Sequence, residues 1–393
     1  MAPKRRPAAA RKPRRATTPS AVATAALVLQ RAALAASLVA GARPVEGLSP
    51  LEAVAIRPVT ELQYRRLAMR FQTFCQREGR DWSAWTQLDE HVTAFMNALF
   101  LAGEASDTGS QLVAALAFFL PALQGGVKSL LPRSCRCAVS WKRRVPPRTR
   151  CPLPKAAALA IAGVLATLGQ PAMALWVALT FSCYLRPIEC FRLKGRDLIP
   201  PSPAAGPQYA FWGLLLHDLQ SQTPGKTNLF EESVVIDLDR WLEEPLAALK
   251  STVAADAPLW AFLPAQLRRH FEAASSLLGL QALSPHLYSL RHGGASEDIL
   301  SRRRTTAETQ RRGRWLAPSS MKRYAKETKL LAEMARVHSD VYDLGRLVEA
   351  NFSAVLQGGL LTPPLAEQVP ASLRAVLRSQ PLGARHGRVR QRR

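Results

Sequence analysis

A mostly α-helical chain with one small β-hairpin, divided into two folded regions, is what three observations predict. Apolar residues recur at helical spacing through most of 49–130 and 155–335. Two short apolar segments, Gln208–Leu216 and Ser233–Leu238, flank a Pro224-Gly225 turn and read as strands. Between the two helical regions, Leu131–Pro154 carries five Pro and seven Arg or Lys with little periodicity, which reads as an extended cationic linker. The expected partition is a basic disordered arm over 1–48, a helical domain over 49–130, the linker over 131–154, an α+β domain over 155–335, and a C-terminal helix with a basic tail over 336–393.

Charge narrows the function classes. The 393 residues include 53 Lys plus Arg against 29 Asp plus Glu, a formal charge of +24. An enzyme of small metabolites has no need of that excess, whereas a polyanion binder does, because each neutralised phosphate releases counterions. Nucleic acid is therefore the expected partner class, set against a merely basic surface with floppy tails. The six Cys show no paired CxxC spacing, so a zinc site is not expected and a reduced, intracellular chain is. The uncharged run Ala156–Leu185 is broken by Gly169, Gln170 and Pro171 into halves shorter than the ~20 apolar residues a bilayer span needs. Two buried core helices fit it better, and no membrane partner is expected. A second apolar run, Ala21–Ala42, is interrupted by Gln30 and Arg31.

Met1–Val45 holds nine Lys or Arg and no acidic residue, with the cluster PKRRPAAARKPRR at Pro3–Arg15. That pattern suits nuclear import, an organellar transit peptide or a plain disordered tail, and its clustering before the amphipathic segment leans toward the nucleus. Tyr64, Leu67, Phe71 and Phe74 then recur at helical spacing, with Arg65, Arg66 and Arg70 on other faces and available to a DNA backbone. Helices follow at about Leu88–Leu101 and Gln111–Leu120, the latter capped by Asp107 or Thr108 and stopped by Pro121. In the linker, Lys142, Arg143 and Arg144 are further candidates for phosphate contact, and Trp141 pins the linker to a domain.

FSCYLRPIECFRLKGRDL (Phe181–Leu198) places Pro187 directly after Arg186. Proline suits the first turn of a helix and disfavours helical geometry in the residue before it. Arg186 is therefore expected at a helix start, where backbone N–H groups also face anions. Glu189, three residues on, can orient its guanidinium. Lys226 belongs to the hairpin tip SQTPGKT (Ser221–Thr227). Trp241–Gly279 reads as amphipathic helix without evident chemistry. Thr305 and Glu308 form a capping box for a short helix reaching Arg312. Pro318, Ser319 and Ser320 mark the start of a helix carrying Tyr324, which runs on with interruptions to about Gln357. From Ala371 onward seven Arg and no acid suggest a disordered basic tail.

The stretch Ser284–Thr328 contains LRH (Leu290, Arg291, His292), GRW (Gly313, Arg314, Trp315) and Tyr324, nine residues after Trp315. Together with LRPIE and the Lys226 hairpin, this order and spacing resembles the active site of the tyrosine recombinases, or phage-integrase-like enzymes. HGGAS and RGRW are similar to members from eukaryotic mobile elements of the Crypton and DIRS kind. The resemblance covers about Arg150–Leu330, and more loosely the chain from Ser49. It implies a helical core-binding domain over 49–130 and an α+β catalytic domain over 155–335. It further implies a homo-tetramer on paired sites of double-stranded DNA, strand cleavage and rejoining through a 3′-phosphotyrosyl intermediate, and no metal, ATP or other cofactor.

Carried over by position, the resemblance makes Arg186 and Arg291 the guanidiniums that clamp the non-bridging oxygens and Tyr324 the nucleophile. Two such forks suit the pentavalent charge, and a phenol of pKa near 10 needs nearby cations to act at neutral pH. Lys226 becomes the acid that protonates the departing 5′ oxygen, and Trp315 an indole donor to the phosphate. Tyr288 stands where most relatives have His, three residues before Arg291, with His286 and His292 nearby as supporting residues. Tyr288 is a poorer general base, and Gly293-Gly294 costs a helix about 1 kcal/mol per glycine. Both departures favour an alternative reading, a catalytically impaired, recombinase-derived DNA-binding protein. A type IB topoisomerase-like swivelase is a third, which the helix following Tyr324 disfavours if it is exchanged between protomers.

Overall fold

A computed structural model describes residues 55–124, 130–146, 151–216, 232–318 and 327–380, together with Glu52 and Met321. The chain divides into two compact units, Met1–Arg148 and Thr149–Arg393. It is mostly helical with a small antiparallel sheet, the class its periodicities predict.

Among its described residues the first unit has four α-helices: α1 (Pro58–Arg77), α2 (Trp85–Leu101), α3 (Asp107–Phe119) and α4 (Pro132–Arg144). Proline at the first position starts α1, where its missing N–H would have no helical partner anyway. One stripe of each helix is buried: Leu67, Phe71 and Cys75 on α1, and Leu88, Val92, Phe95, Met96 and Leu99 on α2. The ring of Phe95 lies 5.7 Å from that of Phe71 and 5.1 Å from that of Phe74, so aromatic packing centres this core.

α4 corrects the expectation of an extended linker over 131–154. Its cations mask a helical stripe, Ser134, Ala138 and Trp141, which is buried against α2 and α3. The cap that the local sequence lacks is supplied from a distance. The carboxylate of Asp89, on α2 and only 2% exposed, accepts the backbone N–H groups of Arg133 and Ser134, both at 2.8 Å. An acceptor at a helix N-terminus satisfies donors that would otherwise be orphaned. Trp141 is thus a core residue, edge-on to Phe100 at 6.0 Å.

In the second unit, α5 (Lys155–Thr167) and α6 (Pro171–Ser182) form a buried pair. Every α6 residue from Met173 to Ser182 is buried. Around them lie α7 (Pro187–Arg192), α8 (Glu243–Thr252), α9 (Pro264–Leu277), α10 (Leu287–Leu300), α11 (Thr306–Arg312) and α12 (Glu327–Met334). The sheet runs β1 (Leu198–Ile199), β2 (Trp212–Leu216), β3 (Glu232–Ile236), all antiparallel, with Leu214 opposite Val234 and Trp212 opposite Ile236. Trp212, Leu214, Leu216, Val234 and Ile236 bury one face. The Pro224-Gly225 turn with Lys226, and Tyr324 with its surrounding residues 322–326, lie outside the described residues.

The C-terminal segment holds α13 (Ser339–Ala350), α14 (Phe352–Gly358), α15 (Leu365–Gln368) and α16 (Ala371–Arg378). α13 packs on α5 of its own unit through Val341, Leu344 and Val348. A basic tail beginning at Ala371 is corrected too: Leu373 and Leu377, one turn apart, are buried, and Arg374 donates to the carbonyls of Glu367 and Val369 at the end of α15. Among the described residues no helix is long and apolar enough to cross a membrane.

Candidate functional site

Three corners of the second unit bring separated residues together. The first is the exit from α6. Tyr184 takes a left-handed φ of +47°, and Arg186, extended at φ −68° and ψ 141°, precedes Pro187 at the start of α7. Glu189 closes this turn on itself: its carboxylate accepts the Arg186 backbone N–H at 2.7 Å and also the Arg186 guanidinium.

The second corner is α10. His286 caps it, its Nδ1 accepting the Ser289 N–H at 3.0 Å. On this helix the rings of Tyr288 and His292, both half-buried, lie 5.4 Å apart and tilted by 49°, while Arg291 points inward and is fully buried. Gly293 and Gly294 make this approach possible. A Cβ on Gly293 would collide with the Leu153 carbonyl, and one on Gly294 with the Phe181 carbonyl. The pair that weakens the helix in isolation is what lets α10 lie against the backbone of 153 and of α6.

The third corner follows α11, which begins with the Thr305–Glu308 capping box (Thr305 N–H to Glu308 Oε2, 2.7 Å). After it, Arg314 adopts φ +54°, a conformation that costs a non-glycine residue about 1–2 kcal/mol. Such strain persists only where surrounding contacts hold it. Here they do. Arg314 Nη2 donates to Glu189 Oε2 at 2.5 Å, and its Nε lies 3.6 Å from Glu232 Oε2 at the start of β3.

Arg291 joins the first and third corners. Its Nη1 donates to the Tyr184 carbonyl and its Nη2 to the Gly313 carbonyl, so it ties down both left-handed turns. The Trp315 ring roofs it, with the guanidinium carbon 4.8 Å from the ring centroid. Its Nη1 is also 3.9 Å from Glu189 Oε2. Three guanidiniums (Arg186, Arg291, Arg314) therefore gather around Glu189, with Glu232 as a second carboxylate. Among the described residues, three positive and two negative groups leave one net positive charge in a site where Arg186 is 9% and Arg314 8% exposed.

The electrostatics follow from this crowding. Burial, with repulsion from Arg314 and Arg186, pushes the Arg291 pKa down to about 10. Burial also lowers that of Arg314, which Glu189 and Glu232 only partly offset. Burial works against the Arg186 charge as well, yet the Glu189 carboxylate outweighs it and the pKa is raised. The Tyr288 phenol is near enough to act on both Arg186 and Arg291. An anion placed against this cluster would meet a net positive field from guanidiniums already held in place by Glu189 and the backbone carbonyls.

A second ionic layer supports the first. Tyr184 donates its hydroxyl to Asp298, and burial together with that carboxylate pushes its pKa up. Arg304 joins Asp298 (3.0 Å) to Asp237 (2.9 Å) at the end of β3. Arg312 donates to the carbonyls of Ser182 (2.8 Å) and Val235 (2.6 Å), and its guanidinium lies 5.3 Å from the Tyr184 ring. Arg303 and Lys155 share Asp239 at 2.9 and 3.6 Å. α6, β3, α10 and α11 are thereby locked around the arginine cluster.

Of the residues expected in one site, Arg186, Glu189, Tyr288, Arg291 and Trp315 are brought together, His286 caps the same helix, and the His292 ring lies beside that of Tyr288. Lys226 and Tyr324 lie outside the described residues. Arg291 is not at the surface, since both Nη groups are engaged by backbone carbonyls, and the Arg314 side chain is only 4% exposed with its Nη groups on the Arg312 carbonyl and Glu189, so among these arginines the exposed side chain is that of Arg186, at 11%. Sequence reading missed Arg314, Glu232 and Tyr184 as site residues. Only Arg314 carried a signal, being the middle residue of GRW. In the first unit, Arg65 pairs with Glu61 at 2.7 Å, Arg70 with Glu104 at 2.7 Å and Lys142 with Asp107 at 3.5 Å. Arg66, Arg143 and Arg144 are exposed. Among the described residues no group of three or more His, Cys, Asp or Glu side chains could hold a metal ion. No protein-family model matches the chain, and no curated protein sequence matches it.

Proposed function

We propose that the chain is a DNA strand-exchange enzyme, which cleaves and rejoins strands through a 3′-phosphotyrosyl intermediate without ATP or metal. The observation that carries this reading is the buried cluster of Arg186, Arg291 and Arg314 with its net positive charge, assembled from three separate stretches of chain. A scissile phosphate would supply the missing negative charge. In this proposal Arg186 meets the non-bridging oxygens, Arg314 stands behind it on the shared Glu189, and Arg291 fixes both turns that carry them. The Trp315 indole N–H and the Tyr288 hydroxyl are further donors, Tyr324 attacks phosphorus and Lys226 protonates the departing 5′ oxygen. The cations of the first unit, Lys142, Arg143 and Arg144 foremost, would follow the duplex backbone. A tetramer on paired sites and a nuclear location, with an organelle as the alternative, belong to the same proposal.

One observation favours a second reading, a DNA-binding descendant with impaired catalysis. Arg291 is fully buried and donates to two carbonyls, and Tyr288 replaces a better base.

Incubation with nicked and supercoiled DNA in EDTA, quenched with SDS, separates the two. Protein covalently joined to a 3′ phosphate, and lost in Tyr324→Phe, is the expected result. Tight binding with no adduct on any DNA would leave the DNA-binding reading. An adduct surviving in Tyr324→Phe would place the nucleophile elsewhere.

A further inference from the structure

The first unit carries a surface that DNA contact does not account for. Along α1, Val59, Leu62, Arg66, Met69, Thr73 and Arg77 follow one another at intervals of three or four residues, so they form one ridge. Val59 is 69%, Leu62 47% and Met69 59% exposed. Beside the ridge, α1 and α2 enclose a groove of about 590 Å³ whose floor is Phe74, Phe95 and Leu99. Arg66, Arg70 and Arg77 form its rim, and no acidic residue lines it. Among the described residues Arg66 has no carboxylate partner. Arg70 has only the exposed Glu104 and Arg77 only the exposed Glu78 at 3.2 Å, pairs that solvent largely screens.

A phosphate backbone would use the arginines and gain nothing from the apolar side chains between them. Large apolar groups interleaved with one sign of charge match a helix that is apolar on one face and acidic on its flanks. The ridge from Val59 to Arg77 spans about 27 Å at ~1.5 Å per residue, enough for a docked helix of four to five turns.

We infer that the α1–α2 groove is a docking site for an acidic, amphipathic helix of a partner protein, with apolar anchors on Phe74, Phe95 and Met69 and carboxylates on Arg66, Arg70 and Arg77. This inference stands apart from the strand-exchange proposal and reassigns Arg66 and Arg70 from duplex to protein.

The probe is a fluorescein-labelled synthetic helix of about 18 residues with Leu at i, i+4, i+7 and i+11 and Glu on both flanks, titrated with the full chain by anisotropy. Saturable binding is expected, weakened at least about tenfold by Met69→Asp and by Arg66→Glu with Arg77→Glu, and unchanged by Arg143→Ala with Arg144→Ala. All these positions are exposed, and unchanged unfolding temperatures would confirm intact folding. The inference is overturned if the probe does not bind or the groove variants bind it like the parent. It is equally overturned if a Glu-only peptide lacking Leu binds as tightly. Duplex DNA losing as much affinity as the peptide in Met69→Asp would assign the face to DNA instead.

Discussion

Glu189 and Arg314, separated by 125 positions, share an ion pair of 2.5 Å inside the second unit, where neither side chain is more than 4% exposed. Because Glu189 also holds Arg186 and lies 3.9 Å from Arg291, one carboxylate sets the positions of three guanidiniums. Removing it should leave buried positive charge without compensation. Glu189→Gln is expected to lower stability by about 3–5 kcal/mol, the usual cost of breaking a buried pair from one side. Urea unfolding measures it, and a loss below about 1 kcal/mol would mean that the cluster relaxes into solvent.

Arg314 combines a favourable side chain with an unfavourable backbone. Arg314→Ala should lose the Glu189 and Glu232 contacts while keeping the φ of +54°. Arg314→Gly loses the same contacts but relieves the backbone, so it should be about 1 kcal/mol more stable than the alanine variant. Equal stabilities of the two variants would argue that the loop abandons its left-handed turn once the side chain is gone.

Gly293 and Gly294 are expected to reject alanine. Helix propensity alone favours Gly→Ala by about 1 kcal/mol, but here the new methyls meet the Leu153 and Phe181 carbonyls, backbone atoms that cannot swing aside. Each substitution should destabilise by about 1–3 kcal/mol, the range for overpacking. A rise in unfolding temperature for either would contradict the close approach of α10 to α6.

The Asp239 pairs predict an acid limb of stability. Burial pushes the Asp239 carboxyl up, but Lys155 and Arg303 outweigh it, and its folded pKa lies below the usual value. A carboxylate with a depressed folded pKa stabilises the fold above its unfolded pKa of about 4, and that contribution disappears as pH falls through the folded value. Unfolding followed from pH 7 downward should therefore show a loss below about pH 4 that Asp239→Asn reduces. An identical acid limb in the variant would assign it to other carboxylates, such as Asp237, whose pKa Arg304 also lowers.

Much of the fold was legible because its signals are local. Pro187 marks a helix start where the structure has it, and the apolar run 156–185 breaks at Gly169, Gln170 and Pro171 into α5 and α6. The apolar segments Gln208–Leu216 and Ser233–Leu238 marked two strands, which the structure has at Trp212–Leu216 and Glu232–Ile236, though the two-residue β1 was too short to leave a pattern. The α4 helix was not legible, because Asp89 supplies its cap from another helix and its buried stripe is half concealed by arginines. The α16 helix was missed for a similar reason, two leucines among a run of cations.

By itself, the sequence determined where several of the helices and the two longer strands lie, that the chain is strongly basic, and that Arg186, Glu189, Tyr288, Arg291 and Trp315 are candidates for one site. Only the tertiary structure decided how those residues share charge: that Arg291 turns inward to bind two carbonyls, that Arg314 takes a strained turn beside Glu189, and that two glycines are required for contact between helices. The physical reason is range. Propensity, capping and periodicity act within a few residues, whereas burial and ion pairing act between residues that only the folded chain makes neighbours.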